Sequence, residues 1–140
     1  MEPVGFHDPT PAFSWKLPVG VEAQSAFRLE VRDVQSRKPV WDSGWVESAQ
    51  SVLVPYGGKP LASRQQLAWR VQFRDEAGAD SEWSEPAYFE LGLLAAKDWR
   101  AKWIFPDVEP DQDREPVSWL RREFPVRREV ERARLHVTAR

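Results

Sequence analysis

The chain has 140 residues, a formal net charge of −2 and no cysteine, and 41% of its residues are hydrophobic. This length and composition suit one packed domain plus a further segment, and they exclude a largely disordered chain. The lack of cysteine excludes disulfides, thiolate metal ligands and a cysteine nucleophile, while the near-neutral charge and the lack of a long apolar run argue against nucleic-acid and membrane partners.

Short segments in which apolar and polar residues alternate recur about every ten residues, a pattern typical of an all-β sandwich. The clearest are "FRLEVRD" at 27–33 and "AWRVQFRD" at 68–75. "KPVWDSGWV" at 38–46 is interrupted by Asp-Ser-Gly, which predicts an edge strand with a turn or bulge. The residues predicted to face the core are Phe13, Trp15, Leu17, Phe27, Leu29, Val31, Val52, Val54, Tyr56, Trp69, Val71, Phe73, Ala87, Phe89 and Leu91.

The stretch "DSEWSEPAYFELG" at 80–92 is predicted to form a turn and the last strand of this domain. Trp83 would cover the sandwich edge, and Pro86 would protect that edge from further pairing. Residues 94–116, with the acidic "DVEPDQDREP", are predicted to be a connector or linker.

Alternation returns in "VSWLRREFPV" and "VERARLHVTA", so residues 117–140 are predicted to be the first strands of a second, incomplete β-sandwich. Two strands cannot bury a face alone. We therefore expect the chain to be a piece of a longer protein. Without the remainder, these strands would add to the first sandwich, self-associate with another copy or be disordered.

Three separated motifs resemble a known module. "AFSWKLP", "AFRLEVRD" and "LASRQQLAWRVQFRDEAGADSEWSEP" are similar to strand B, strand C and the F–G unit of a fibronectin type III domain. The resemblance implies a fibronectin type III-like (immunoglobulin-like) β-sandwich over residues 1–93, with Trp15 buried on strand B and a truncated or distorted strand A. One departure is that Leu67 or Trp69 stands where the module has its corner tyrosine, which puts that tyrosine's hydrogen bond in doubt.

A narrower resemblance covers nearly the whole chain. "DPTPAFSWKL", "WDSGWVESAQSVLVPYGGKPLASRQQLAWRVQFRDEAGADSEWSEPAYFELGLL", "DWRAKWI" and "LRREFPVRREVERARLHVTA" occur in the order found in the N-terminal region of bacterial α-L-rhamnosidases of glycoside hydrolase family 78. In that family a fibronectin-like domain precedes a β-sandwich domain and a catalytic (α/α)₆ barrel.

The resemblance implies a parent enzyme that hydrolyses terminal α-L-rhamnose from glycosides or polysaccharides with inversion, using a carboxylic acid and a carboxylate base. Those residues are expected beyond Arg140, so no position here inherits a catalytic role. The 140-residue chain is expected to be inactive alone, to need no cofactor or metal, and to act as an accessory domain whose partners are the downstream domains of the same polypeptide.

Two other functions stay open at this point. Trp41 and Trp45 are four residues apart beside the predicted bulge, and could form an aromatic platform for a glycan in a carbohydrate-binding module. Alternatively, the domain could be a protein-interaction module of a cell-surface protein, because the fold alone does not decide function. The simpler interpretation of both indoles is packing under the sheet edge.

Other side-chain clusters favour simple structural interpretations. The acidic run Asp107–Glu115 contains Pro110 and lacks the central glycine of a calcium loop, so a solvated linker is the better interpretation. The arginines of the tail alternate with glutamates, which indicates an outward strand face rather than a nucleic-acid site. His7 and His136 have no neighbouring ligands at metal spacing. The first ten residues do not resemble a signal peptide, and the compartment is left open.

Overall fold

The computed structural model describes residues 4–104, 120–130 and 133–137. The chain divides into two compact units, Met1–Trp99 and Arg100–Arg140. In the described part of the first unit the regular structure is all strand apart from the short 3₁₀ helix Ala96–Asp98, which confirms the all-β prediction. The strands are β1 (Val4–Phe6), β2 (Ala12–Phe13), β3 (Gln24–Asp33), β4 (Pro39–Asp42), β5 (Val46–Glu47), β6 (Val54–Pro55), β7 (Gln66–Asp75) and β8 (Ala87–Leu91).

Two sheets form the sandwich. In the larger sheet the strand order is β1-β8-β7-β3-β4, and β5 also pairs with β3. β3 and β7, each ten residues long, are antiparallel and form its centre. β1 runs parallel to β8 at one edge. The smaller sheet is the antiparallel pair of β2 and β6, with two residues in each strand.

The core lies between these sheets because the alternating apolar side chains of β3 and β7 point to one side. Phe13 of β2 reaches across the core, and its ring centroid lies 4.8 Å from that of Trp69 and 6.1 Å from that of Phe89. The buried cluster consists of Phe13, Phe27, Leu29, Val31, Val54, Tyr56, Leu61, Leu67, Val71, Phe89 and Leu91. Most of these residues were predicted to face the core from the period of two.

Gln24 is a buried polar residue at one end of the sandwich. Its side-chain amide donates to the carbonyl oxygens of Ser48 and Gln50, at 3.2 and 2.9 Å. Its Oε1 accepts from the indole Nε1 of Trp15 at 2.9 Å. Trp15 was predicted to be buried on a strand. It packs against the core with its ring 5.2 Å from Phe27 and its polar atom satisfied, but it is only half-buried and lies two residues after the end of β2.

The predicted alternation is wrong at two positions. Val52 is 60% exposed, because the next residue, Leu53, adopts a left-handed backbone with φ of 53° and interrupts the period of two before the buried Val54. Ala87 is also exposed, at the start of β8. The backbone of Leu53 is held by its N–H, which donates to the Ser14 hydroxyl at 2.9 Å.

In the second unit, residues 120–130 and 133–137 form neither a helix nor a strand. Their apolar side chains are mostly exposed: Leu120, Phe124, Val126, Val130, Leu135 and Val137. The acidic run at 107–115 and Trp119 lie outside the described residues. The connector at 94–116 and the strands at 117–140 remain predictions. Within the described ranges, no helix is long and apolar enough to cross a membrane.

Candidate functional site

The outer face of the larger sheet carries charged side chains from its two central strands. They alternate with the core residues of β3 and β7, so they point away from the core. Glu30 on β3 stands directly opposite Arg70 on β7. Two tryptophans from neighbouring segments lie against these side chains. The resulting surface, here named the arginine–tryptophan face, consists of Arg28, Glu30, Arg32, Trp45, Arg70, Gln72, Arg74 and Trp83.

Glu30 is the electrostatic centre of this face. Its side chain is only 9% exposed and accepts from Arg70 Nε at 2.6 Å and from Arg32 Nη2 at 2.7 Å. The hydrogen bond from Arg32, followed by that from Arg70, lowers the pKa of Glu30 against the opposing effect of burial. Glu30 is therefore a paired carboxylate, and it links the two central strands through charged hydrogen bonds.

Trp83 lies on the same face. The Arg70 guanidinium carbon is 4.3 Å from the centroid of the indole, and that of Arg28 is 5.6 Å away. Arg28 in turn donates to both carboxylate oxygens of Asp42, at 3.0 and 2.6 Å. Trp83 was predicted to cover the sandwich edge, and this is wrong. It stacks on arginines of the central strands instead, because a cation is attracted to the face of an indole.

Two serines hold the segment that carries Trp83. The N–H groups of Ser81 and Ser84 donate to the carbonyl oxygens of Phe73 and Val71, both at 2.8 Å. Their hydroxyls accept from the N–H groups of the same two β7 residues, both at 3.1 Å. Three residues on this segment thus match two on β7, as in a repeated bulge, which leaves Trp83 free to project over the face.

Trp45 and Arg74 form the second stack of the face. The guanidinium carbon of Arg74 lies 4.5 Å from the centroid of Trp45. Its Nε donates to Asp80 Oδ1 at 2.7 Å, and Glu47 is 3.9 Å from its Nη1. The hydrogen bond to Asp80 raises the pKa of Arg74. The turn at Asp80 is therefore fastened to the outer face through one arginine.

The proposed glycan platform of Trp41 and Trp45 can be placed on this geometry. Trp41 packs against the core: its ring lies 5.0 Å from that of Tyr56 and 6.5 Å from that of Phe13. Trp45 instead meets Arg74 on the arginine–tryptophan face. The two indoles therefore contact different parts of the sandwich, and a role of either in glycan binding stays a prediction.

The chemistry open to this face follows from the pairing of its carboxylates with arginines. Both Glu30 and Asp42 have a lowered pKa, in each case chiefly through a hydrogen bond from an arginine. A general acid working near neutral pH needs the opposite shift. Within 4–104, 120–130 and 133–137, no group of three or more His, Cys, Asp or Glu side chains could hold a metal ion. The face is built to fasten strands and turns together.

Sequence reasoning did not identify this face. The alternation of arginines with apolar residues on β7 placed the arginines outward, but the partner Trp83 lies on a segment without strand alternation. A usable signal was the pair of serines three residues apart, Ser81 and Ser84, on either side of Glu82 and Trp83. Serine hydroxyls pair readily with backbone N–H groups, so such a pair can replace part of a strand's ladder.

Comparison with known proteins gives a consistent result. The family model described as "Rha78A-like, N-terminal immunoglobulin domain" matches residues 1–95. An α-L-rhamnosidase of Formosa agariphila is 43% identical over 98% of this chain, and one of Alteromonas sp. is 37% identical over 99%. The chain spans 16% of the length of each.

A solved structure is similar as well. The crystal structure of Streptomyces avermitilis α-L-rhamnosidase complexed with L-rhamnose matches with a TM-score of 0.67 and 41% sequence identity. The match covers 74% of this chain and 11% of that one. The immunoglobulin-like β-sandwich expected from the sequence therefore agrees with the family model and with a solved structure.

Proposed function

The chain belongs to the family of Rha78A-like N-terminal immunoglobulin domains, and on this basis we propose that it is the non-catalytic N-terminal part of an α-L-rhamnosidase. Its sandwich supports and packs with the downstream domains of the same polypeptide. The parent enzyme removes terminal α-L-rhamnose from glycosides or polysaccharides with inversion. The catalytic acid and base lie beyond Arg140.

One observation carries this proposal. Relatives named α-L-rhamnosidase align with 98–99% of this chain, yet the chain spans only 16% of their length. The family model stops at residue 95, whereas the alignments extend through nearly all of the remaining residues. This supports a second structural unit that begins within the chain, with a connector at 94–116 and the first strands of a second sandwich at 117–140.

The second unit offers independent support for downstream partners. Phe124, Leu135 and Val137 are 73%, 87% and 76% exposed. Exposed apolar side chains in such a short segment favour burial against further protein. In the proposed function, they become core residues of the second sandwich when the rest of the polypeptide is present.

The paired carboxylates of the first unit support a non-catalytic role. Inverting hydrolysis needs one protonated and one ionised carboxyl group, about 6.5–9.5 Å apart across the scissile bond. Glu30 and Asp42 are instead held ionised by arginines. Asp98 has a lowered pKa through its hydrogen bond with Ser63. These three carboxylates serve the fold, and none is suited to donate a proton at neutral pH.

The proposal is tested with nitrophenyl α-L-rhamnoside as substrate. The 140-residue chain should release no nitrophenol, while the longer polypeptide that contains it should hydrolyse the substrate. Release by the 140-residue chain would show that it carries catalytic residues of its own. A longer polypeptide that folds but does not act on rhamnosides would exclude the parent activity.

A further inference from the structure

The point where the chain leaves the sandwich is held by the loop that precedes β7. The Leu91 N–H donates to the Gln65 carbonyl oxygen at 2.9 Å, and the Arg64 N–H donates to the Gly92 carbonyl oxygen at 3.0 Å. Arg64 has a left-handed backbone with φ of 64°. A left-handed backbone costs free energy for a residue other than glycine, and it persists only where surrounding contacts hold it. The hydrogen bond from the Arg64 N–H to Gly92 is one such contact.

Side-chain hydrogen bonds continue this contact beyond β8. The Ser63 hydroxyl accepts from the Leu94 N–H at 2.9 Å and donates to a carboxylate oxygen of Asp98. The same oxygen of Asp98 accepts from the Ala95 N–H at 3.2 Å. Two residues 35 positions apart in sequence therefore close a ring of hydrogen bonds around residues 94–98. We refer to this ring as the exit clamp.

The opposite side of the departing chain is also in close contact. A Cβ atom added to Gly92 would lie 2.9 Å from the Gly5 carbonyl oxygen, so only glycine allows β1 to approach the chain here. Leu94 then packs against the core cluster. The chain is thus fixed by β1, by the core and by the exit clamp within a few residues of leaving β8.

We propose that Ser63 and Asp98 are positioning residues: they make residues 92–99 a fixed part of the sandwich and so set the direction in which the chain leaves it. Residues 94–99 of the predicted connector at 94–116 then belong to the sandwich. This inference stands on contacts within the first unit. Only its extension, that the clamp helps to orient the downstream domains, rests on the proposed function.

Amide hydrogen exchange of the 140-residue chain tests the clamp directly. In Ser63→Ala we expect the Leu94 and Ala95 amides to exchange at least about 5-fold faster, as lost local stability of a hydrogen bond implies. The Leu29 and Val71 amides in the central strands should keep their rates. Ser63→Thr retains a hydroxyl and should restore most of the protection.

Ser36→Ala is the matched control, because the Ser36 hydroxyl also donates to an aspartate, Asp33, at 2.8 Å in an exposed loop. It should leave the Leu94 and Ala95 amides unchanged. If Ser63→Ala fails to fold, Asp98→Asn gives a second perturbation of the clamp. It should speed exchange of the Ala95 amide.

The proposal would be overturned if the Leu94 and Ala95 amides of the unmodified chain exchanged at the rate of an unstructured peptide. Unchanged exchange in Ser63→Ala would overturn it as well. Neither result depends on rhamnoside hydrolysis. A failure of the exit clamp is therefore distinguishable from a failure of the proposed function.

Discussion

The Arg70 guanidinium lies over the indole of Trp83, 4.3 Å from its centroid, while its Nε donates to Glu30 at 2.6 Å. One side chain therefore connects a buried carboxylate on β3 with a segment that belongs to no strand. Arg70 serves both partners because its guanidinium is planar, with donors in the plane and a face that stacks on aromatic rings. Side-chain contacts of Arg70 therefore attach the segment of Trp83 to the outer face of the sheet, although this segment forms no strand.

Trp83→Ala is expected to lower the free energy of unfolding by about 1–2 kcal/mol, from the lost cation–π contacts and the lost apolar burial of a half-buried ring. Urea unfolding followed by circular dichroism measures the change. Val19→Ala is the control, because Val19 is fully exposed and should be close to neutral. A Trp83→Ala variant as stable as the unmodified chain would show that the stack is only a surface contact.

Glu30→Gln is expected to cost about 1–3 kcal/mol at pH 7, since it removes the negative charge from two charged hydrogen bonds and replaces one of the two acceptor oxygens with an amide NH2 group. The pKa of Glu30 is lower in the folded chain than its usual 4.5. Its stabilising contribution is therefore complete above that value and is lost as the pH falls through the folded pKa.

Unfolding free energies measured from pH 7 downward should thus converge for Glu30→Gln and the unmodified chain below pH 4.5. Glu85→Gln removes one exposed negative charge and serves as the reference. A difference between Glu30→Gln and the unmodified chain that stayed constant with pH would contradict the assignment of the effect to this carboxylate.

Trp41→Ala and Trp45→Ala are expected to differ. Trp41→Ala should cost about 2–4 kcal/mol, because its ring packs on the core, whereas Trp45→Ala should cost about 1 kcal/mol or less. Chemical denaturation of both variants measures the difference. Trp45→Ala is therefore the better variant for affinity gels with a rhamnose-rich polysaccharide, because a loss of binding would not result from unfolding. Equal destabilisation by the two changes would contradict the placement of Trp41 in the core.

Gly58→Ala is expected to destabilise the chain by about 1–3 kcal/mol through overpacking. A Cβ atom at this position would lie 2.3 Å from the Tyr56 hydroxyl oxygen and 3.0 Å from the Trp41 Cβ. Thermal unfolding should show a lower Tm. A Tm equal to that of the unmodified chain would mean that the tyrosine ring moves aside freely.

Tyr56→Phe provides the contrast at the same site. The Tyr56 hydroxyl is buried without a hydrogen-bond partner, so its removal should be neutral or stabilising. A loss of more than about 1 kcal/mol would show that the hydroxyl has a partner in solution.

The sequence predicts the central strands well, because apolar residues at every second position from Phe27 on β3 and from Leu67 on β7 face the core. The pairing of these two strands shifts register only at the start of β3, between Gln24 and Ala26. Val52 is mispredicted because Leu53, which follows it, has a left-handed backbone. A leucine in a run of apolar residues gives no sign of such a backbone angle. Trp83 is mispredicted because its segment matches three residues to two on β7. The Ser63–Asp98 contact joins residues far apart in the chain, and no local sequence pattern predicts such a contact.

The parallel pairing of β1 with β8 has a mechanical consequence. Val4 pairs with Glu90 and Phe6 with Leu91, so the first and last strands of the sandwich run side by side in the same direction. A pull that separates the two ends of this unit therefore acts along both strands, in opposite senses. The force is shared by the hydrogen bonds of the pair at once, as in a shear joint, instead of opening them one after another.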